Sequence, residues 1–182
     1  MGRRTHIVVS LLSPDWREDM PAAAALGRRA VRAALKGAAL EGAALAGLAS
    51  GDAPIELSLV LADDGLVHRL NRQYRGIDRP TNVLSFGSLS AEPAAPADMP
   101  VMLGDVVLAR ETVIAEAAMQ GKALADHFSH LVVHGVLHLL GYDHEHAGEA
   151  EMMEALEVSV LAKLGIANPY SMEVDPGSPA HV

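Results

Sequence analysis

Strand-like and helix-like segments are unevenly ordered along this chain, and that order restricts the fold more than any other feature. Strand patterns occur at Ile7–Leu12, Ile55–Leu61, Thr81–Phe86 and Met102–Ala109, so they fall mainly in the middle. Helical patterns cover an Ala-rich stretch from about Pro21, a segment from a cap at Asp63 or Asp64 to Tyr74, and then three segments in succession. These last are Arg110–Met119, about Ala123 to Leu140, and about Gly148 to Leu164, with Gly121 and Gly141 as breaks. Strict alternation of strand and helix, as in a doubly wound sheet, is absent. The order predicts an α+β fold in which a small mixed sheet packs against helices. Glu41 to Pro54 carries no clear helix stop, and Leu89 to Pro100, rich in Ala and Pro, is expected to be an exposed loop. With 182 residues the chain can bury a core as one domain, expected over residues 1–168, with 169–182 as a disordered tail.

Composition removes several classes of function. Half of the residues are apolar, but no run is long enough for a membrane span. The nearest approach, Ala22 to Ala49, is interrupted by Arg28, Arg29, Arg32, Lys36 and Glu41. The apolar piece after the N-terminus is short and lacks a cleavage site, so no signal peptide is expected and a cytoplasmic location is. Without cysteine, disulfides and thiolate metal sites are excluded, and a transition metal must use His, Asp or Glu. The formal net charge of -9 argues against a protein that coats RNA through bulk positive charge. An enzyme gripping a few phosphates in a local basic cleft stays compatible, and Arg72, Arg75 and Arg79 are the residues expected at its mouth.

The segment with the clearest chemistry is His134-Gly-Val-Leu-His138-Leu-Leu-Gly-Tyr-Asp-His144. Residues four apart on a helix share a face, roughly 6 Å from each other. His134 and His138 can therefore present nitrogens to one ion at about 2.0–2.1 Å each. Gly141 can stop the helix and turn the chain, so that His144 returns as a third ligand. Three neutral nitrogens with an open fourth position describe a catalytic rather than a structural zinc site, at which the pKa of water falls to about 7. Zinc peptidases place Glu directly after the first His as general base, and here that position is Gly135.

This segment resembles the signature of the YbeY family of metal-dependent endoribonucleases, which act in ribosomal RNA maturation. Leu70-Asn-Arg-Gln-Tyr-Arg-Gly-Ile-Asp-Arg-Pro-Thr-Asn-Val-Leu-Ser-Phe resembles a second block of that family, and Leu103-Gly-Asp-Val-Val-Leu-Ala a third. The similarity runs from about residue 50 to 165, and leaves out the Ala-rich N-terminal part and the insert at 89–100. The resemblance implies a zincin-like metal site on a helix of the C-terminal half, with one zinc on His134, His138 and His144. It also implies a functional arginine at Arg75, whose planar fork suits a phosphate. The implied activity is cleavage of single-stranded ribosomal RNA, notably near the 3' end of the small-subunit 16S rRNA, together with ribosome quality control. Implied partners are that RNA and the ribosomal small subunit or its assembly proteins, with no membrane.

Neighbouring polar residues have blander readings. His127 and His130 continue the His134/His138 stripe and are expected to be partly buried structural histidines, with support of the ligands or RNA contact as the other roles. Asp143 is expected to orient an imidazole. His146 is expected to be exposed, Tyr142 to pack, and Asn82 and Ser85 to hydrogen-bond locally. Asp105 either is structural or lines the cleft. Two other functions remain open: a metallopeptidase, for which Glu111 and Glu145 are the nearby carboxylates, and a ribosome-assembly factor whose zinc only staples the fold.

Overall fold

The computed structural model describes residues 4–40, 54–88, 99–142 and 147–171. Its elements are β1 (Thr5–Leu11), α1 (Trp16–Asp19), α2 (Ala23–Leu40), β2 (Ile55–Ala62), α3 (Asp64–Arg75), β3 (Val83–Gly87), β4 (Val101–Ala109), α4 (Arg110–Met119), α5 (Leu124–Leu139) and α6 (Ala147–Lys163). The four strands form one sheet in the order β1-β2-β4-β3. β2 pairs in parallel with β1 and β4, while β3 runs antiparallel on the outer side of β4. The chain is therefore α+β with a mixed sheet, as its segment order predicts. The expected elements form within a few residues of their expected limits, and α1 is an additional short helix. Parts of the Glu41–Pro54 and Leu89–Pro100 stretches lie outside the described residues.

Alternation along the strands divides the core in two. Leu57, Leu59 and Leu61 of β2 and Val106 and Leu108 of β4 face α2, α5 and α6 in the larger cluster. Ala62, Leu84, Val107 and Ala109 face the opposite way and meet Val67 of α3 in a smaller one. An extra residue in β4 sets this register: Glu56 lies opposite Met102 and Leu57 opposite Gly104, so Leu103 is bulged. Gly104 holds the bulge at φ +126°, and a Cβ there would lie 2.0 Å from the Phe86 carbonyl oxygen. α1 closes one end of the sheet, where the buried Trp16 indole donates to the Ala62 carbonyl at 2.9 Å and meets Phe128 edge to face.

α5 is apolar around most of its circumference, and such a helix is stable only when enclosed. It packs on α2, α4, α6, β3 and β4. Its approach to the sheet depends on Gly135, whose added Cβ would fall 2.7 Å from Val106 Cγ1 and 3.1 Å from Ser85 Oγ. Ser85 uses this proximity to donate to the Gly135 carbonyl at 2.9 Å. Of the tail expected from residue 169, Pro169, Tyr170 and Ser171 are described and Tyr170 returns to α6, while 172–182 lie outside the described residues.

Candidate metal centre

The polar side of α5 carries His127, His130, His134 and His138, and each is placed by a neighbouring element. His127 is buried, and its Nε2 lies 2.9 Å from the Glu116 carboxylate of α4. Glu116 also accepts from the Asn82 side-chain amide at 2.9 Å, just before β3. Burial lowers the His127 pKa, and the hydrogen bond to Glu116 offsets this only in part. Further along α5, His130 Nε2 and His134 Nδ1 approach the two oxygens of Glu157 at 2.9 and 2.7 Å. The Tyr170 hydroxyl also donates to Glu157.

Glu157 is fully buried among Met153, Leu156, Val160 and Leu161 of α6. Burial by itself pushes its carboxyl up. The hydrogen bonds from His130, His134 and Tyr170 outweigh that and hold it at about 2, so it is charged at neutral pH. Burial and the adjacent carboxylate together keep the Tyr170 hydroxyl protonated well above its usual range. Glu116, Glu157 and Tyr170 escape sequence reading because α5 meets them only through tertiary packing. One signal exists for Glu157: it is a lone acid on the apolar stripe of α6.

Two groups of donors share His134. His130, His134 and Glu157 offer ligand atoms within 4.8 Å of one another and could hold a metal ion. On the other side of the His134 ring, its Nε2 lies 3.1 Å from Nε2 of His138. Two bonds of about 2.0–2.1 Å meeting at a tetrahedral angle would separate the nitrogens by about 3.3 Å. The pair therefore fits two corners of a zinc site. Asp143, His144, Glu145 and His146 lie outside the described residues, so the structure says nothing of the third expected ligand. His130 is partly buried, as expected, and hydrogen-bonds to Glu157 within this candidate donor cluster.

Beside these histidines opens a cleft of ≈ 380 Å³, lined among others by Asn82, Glu116, Lys122, His127, His134 and Tyr170. Lys122 is held at its rim by donating to the Pro169 carbonyl at 2.9 Å. Arg75 does not line this cleft. It closes α3 just before Gly76, which takes the left-handed conformation at φ 69°. Arg72, Arg75 and Arg79 are all exposed, and Asp78 pairs with His68 at 2.8 Å and with Arg72 at 3.9 Å. β3 connects the two regions. Ser85 touches Gly135, next to His134, while Phe86 packs edge to face on Tyr74, next to Arg75, at 5.1 Å. Asp105 is exposed in mid-strand, and Asn82 bonds both locally and to Glu116.

A family model described as Endoribonuclease YbeY matches residues 29–165. The chain belongs to the YbeY family. Among its relatives, the Endoribonuclease YbeY of Paramagnetospirillum magneticum is 55% identical over 167 residues, covering 91% of this chain and 95% of that one. The Rhodospirillum rubrum protein of the same name is 56% identical over 157 residues, or 86% and 76% of the two chains. The solution structure of TM1509 from Thermotoga maritima aligns with 96% of this chain and 99% of that chain. Its TM-score is 0.47 and its sequence is 20% identical, a likeness too loose to bear on the site. Within this YbeY family member, no helix among the described residues is long and apolar enough to cross a membrane.

Proposed function

We propose that this chain is a zinc-dependent endoribonuclease that cuts single-stranded ribosomal RNA, maturing the 3' end of 16S rRNA and serving ribosome quality control in the cytoplasm. The observation that carries the metal reading is the approach of the His134 and His138 Nε2 atoms to 3.1 Å beside an open cleft. Membership of a family whose relatives are named endoribonucleases supplies the reaction class. The ligands would be His134, His138 and His144. The bound ion supplies Lewis acidity toward a phosphoryl oxygen or the attacking group.

The chain's own residues do the rest. Arg75 offers a guanidinium fork to the phosphate and offsets charge that develops on its oxygens. That role rests on the resemblance of the Tyr74-Arg75-Gly76 turn to the family's block, since α3 and α5 pack on opposite faces of the sheet. Residues 1–168 form the functional domain, to which Pro169 and Tyr170 add contacts. The RNA is presented in the small ribosomal subunit or by its assembly proteins, whose basic surfaces compensate for a net charge of -9.

The peptidase reading is weakened by Gly135. A general base cannot occupy that position, because the space a side chain would need is filled by Val106 and Ser85. The deciding experiment incubates the purified chain with single-stranded precursor rRNA and with a denatured protein, each with and without chelator. Chelator-sensitive RNA cleavage with intact protein is expected, and a cyclic phosphate among the products would identify attack by the RNA's own 2'-hydroxyl. Chelator-sensitive proteolysis would overturn the proposal. RNA left whole by a zinc-loaded, folded chain would favour the assembly-factor reading.

A further inference from the structure

A carboxylate withdrawn completely from water costs several kcal/mol unless its oxygens are well satisfied. Glu157 meets that condition with donors from two other segments, α5 and the residues after α6. What distinguishes it from a simple structural anchor is the atom it touches on His134. A neutral imidazole carries one proton, and a carboxylate 2.7 Å from Nδ1 holds that proton on Nδ1. The lone pair is then on Nε2, the nitrogen that faces His138.

We infer that Glu157 is a positioning residue for the metal centre, fixing the tautomer and ring orientation of His134 so that Nε2 serves as ligand, and that Tyr170 braces it. The inference rests on His134 being a zinc ligand. It assigns Glu157 to the outer side of the ring, not to the ion. His134 and His130 stand 2.7 and 2.9 Å from the Glu157 oxygens, at hydrogen-bond distance and further below the roughly 3.3 Å that separates two ligand atoms on one zinc than His134 and His138 at 3.1 Å. Tyr170 occupies further capacity of the carboxylate, which is thus held by three partners, His130, His134 and Tyr170. The segment that begins the C-terminal tail is thereby coupled to the affinity of the metal site.

The test is zinc affinity of the full chain by competition with a chromogenic chelator, with folding followed by circular dichroism. Glu157→Gln should weaken zinc by 10- to 100-fold while the chain remains folded, the size typical for outer carboxylates of this kind. Tyr170→Phe, which keeps the carboxylate, should weaken it by about threefold to tenfold. Imidazole ¹⁵N shifts of the zinc-loaded wild type provide a readout that needs no variant. They should show His134 protonated at Nδ1 and metallated at Nε2. Wild-type affinity in a folded Glu157→Gln chain would reduce Glu157 to a structural anchor and overturn the inference, as would metal on His134 Nδ1. Complete loss in Glu157→Gln with no loss in His138→Ala would make Glu157 a direct ligand and overturn it as well. Failure of the underlying metal reading looks different: His134→Ala and His138→Ala would then both bind zinc as the wild type does.

Discussion

Gly135→Ala tests whether α5 lies on the sheet as closely as the structure shows. In an exposed helix this change would stabilise by about 1 kcal/mol, because alanine loses less backbone entropy. Here the new methyl would stand 2.7 Å from Val106 Cγ1 and 3.1 Å from Ser85 Oγ, where unstrained contacts to carbon need about 3.5–4.0 Å. Val106 is completely buried and cannot turn away, so the helix must shift outward by a large part of an ångström. Overpacking of this kind costs about 1–3 kcal/mol. The shift also stretches the 2.9 Å bond from Ser85 to the Gly135 carbonyl, worth about 1 kcal/mol. We expect a net loss of about 1–3 kcal/mol, or roughly 2–10 °C in Tm for a chain of this size. Gly148→Ala in α6 is the internal control, since nothing lies within 4 Å of its added Cβ. It should be neutral or stabilising by up to about 1 kcal/mol. Urea denaturation of both variants, monitored through the single tryptophan, measures the difference. Equal gains in the two would refute the close packing and reopen the space in which a peptidase base could sit.

Arg75→Ala should lower RNA cleavage by about 10²–10³-fold in kcat/KM while zinc content stays at the wild-type level, and Arg75→Lys should recover only part. Unchanged kcat/KM would remove the phosphate role. Asp63→Ala should destabilise by about 1 kcal/mol in chemical denaturation, because the Asp63 carboxylate accepts from the Leu66 amide at 2.7 Å as the α3 cap. Loss of Asp64 instead should loosen the start of α4, where it accepts from both the Thr112 amide and hydroxyl; an inert Asp63→Ala would contradict this division. Burial holds the folded His127 pKa below its ordinary 6.5, so the unfolded chain takes up that proton first as pH falls. The His127 contribution is therefore intact above about pH 6.5 and declines below it, by at most about 1.4 kcal/mol per pH unit. Stability of wild type minus that of His127→Gln, measured from pH 7.5 to 5.5, should show this decline. A difference that rises toward acid would mean that Glu116 dominates over burial.

How much of the site was legible follows from the range over which each interaction acts. His134 and His138 could be paired from sequence because a helix fixes the relation of residues four apart, and α5 forms where its pattern places it. The missing base at Gly135 was visible as a letter, but the reason a side chain is barred from that position lies in β3 and β4. Asp63 and Asp64 could not be told apart as caps by adjacency alone. The packing of α4 beside α3 gives Asp64 to Thr112 and leaves Asp63 to cap α3.

Hydrophobic period, glycine breaks and helical spacing act over a few residues, so the elements, the α+β class and the local geometry of the histidine stripe follow from the order of amino acids. Which carboxylates meet those histidines depends on how distant helices pack. Glu116 reaches His127 across 11 residues and Glu157 reaches His134 across 23, distances along the chain at which no periodicity carries information. The tautomer inferred for His134 rests on that second meeting, since a buried charge holds the hydrogen it accepts far more firmly than water could.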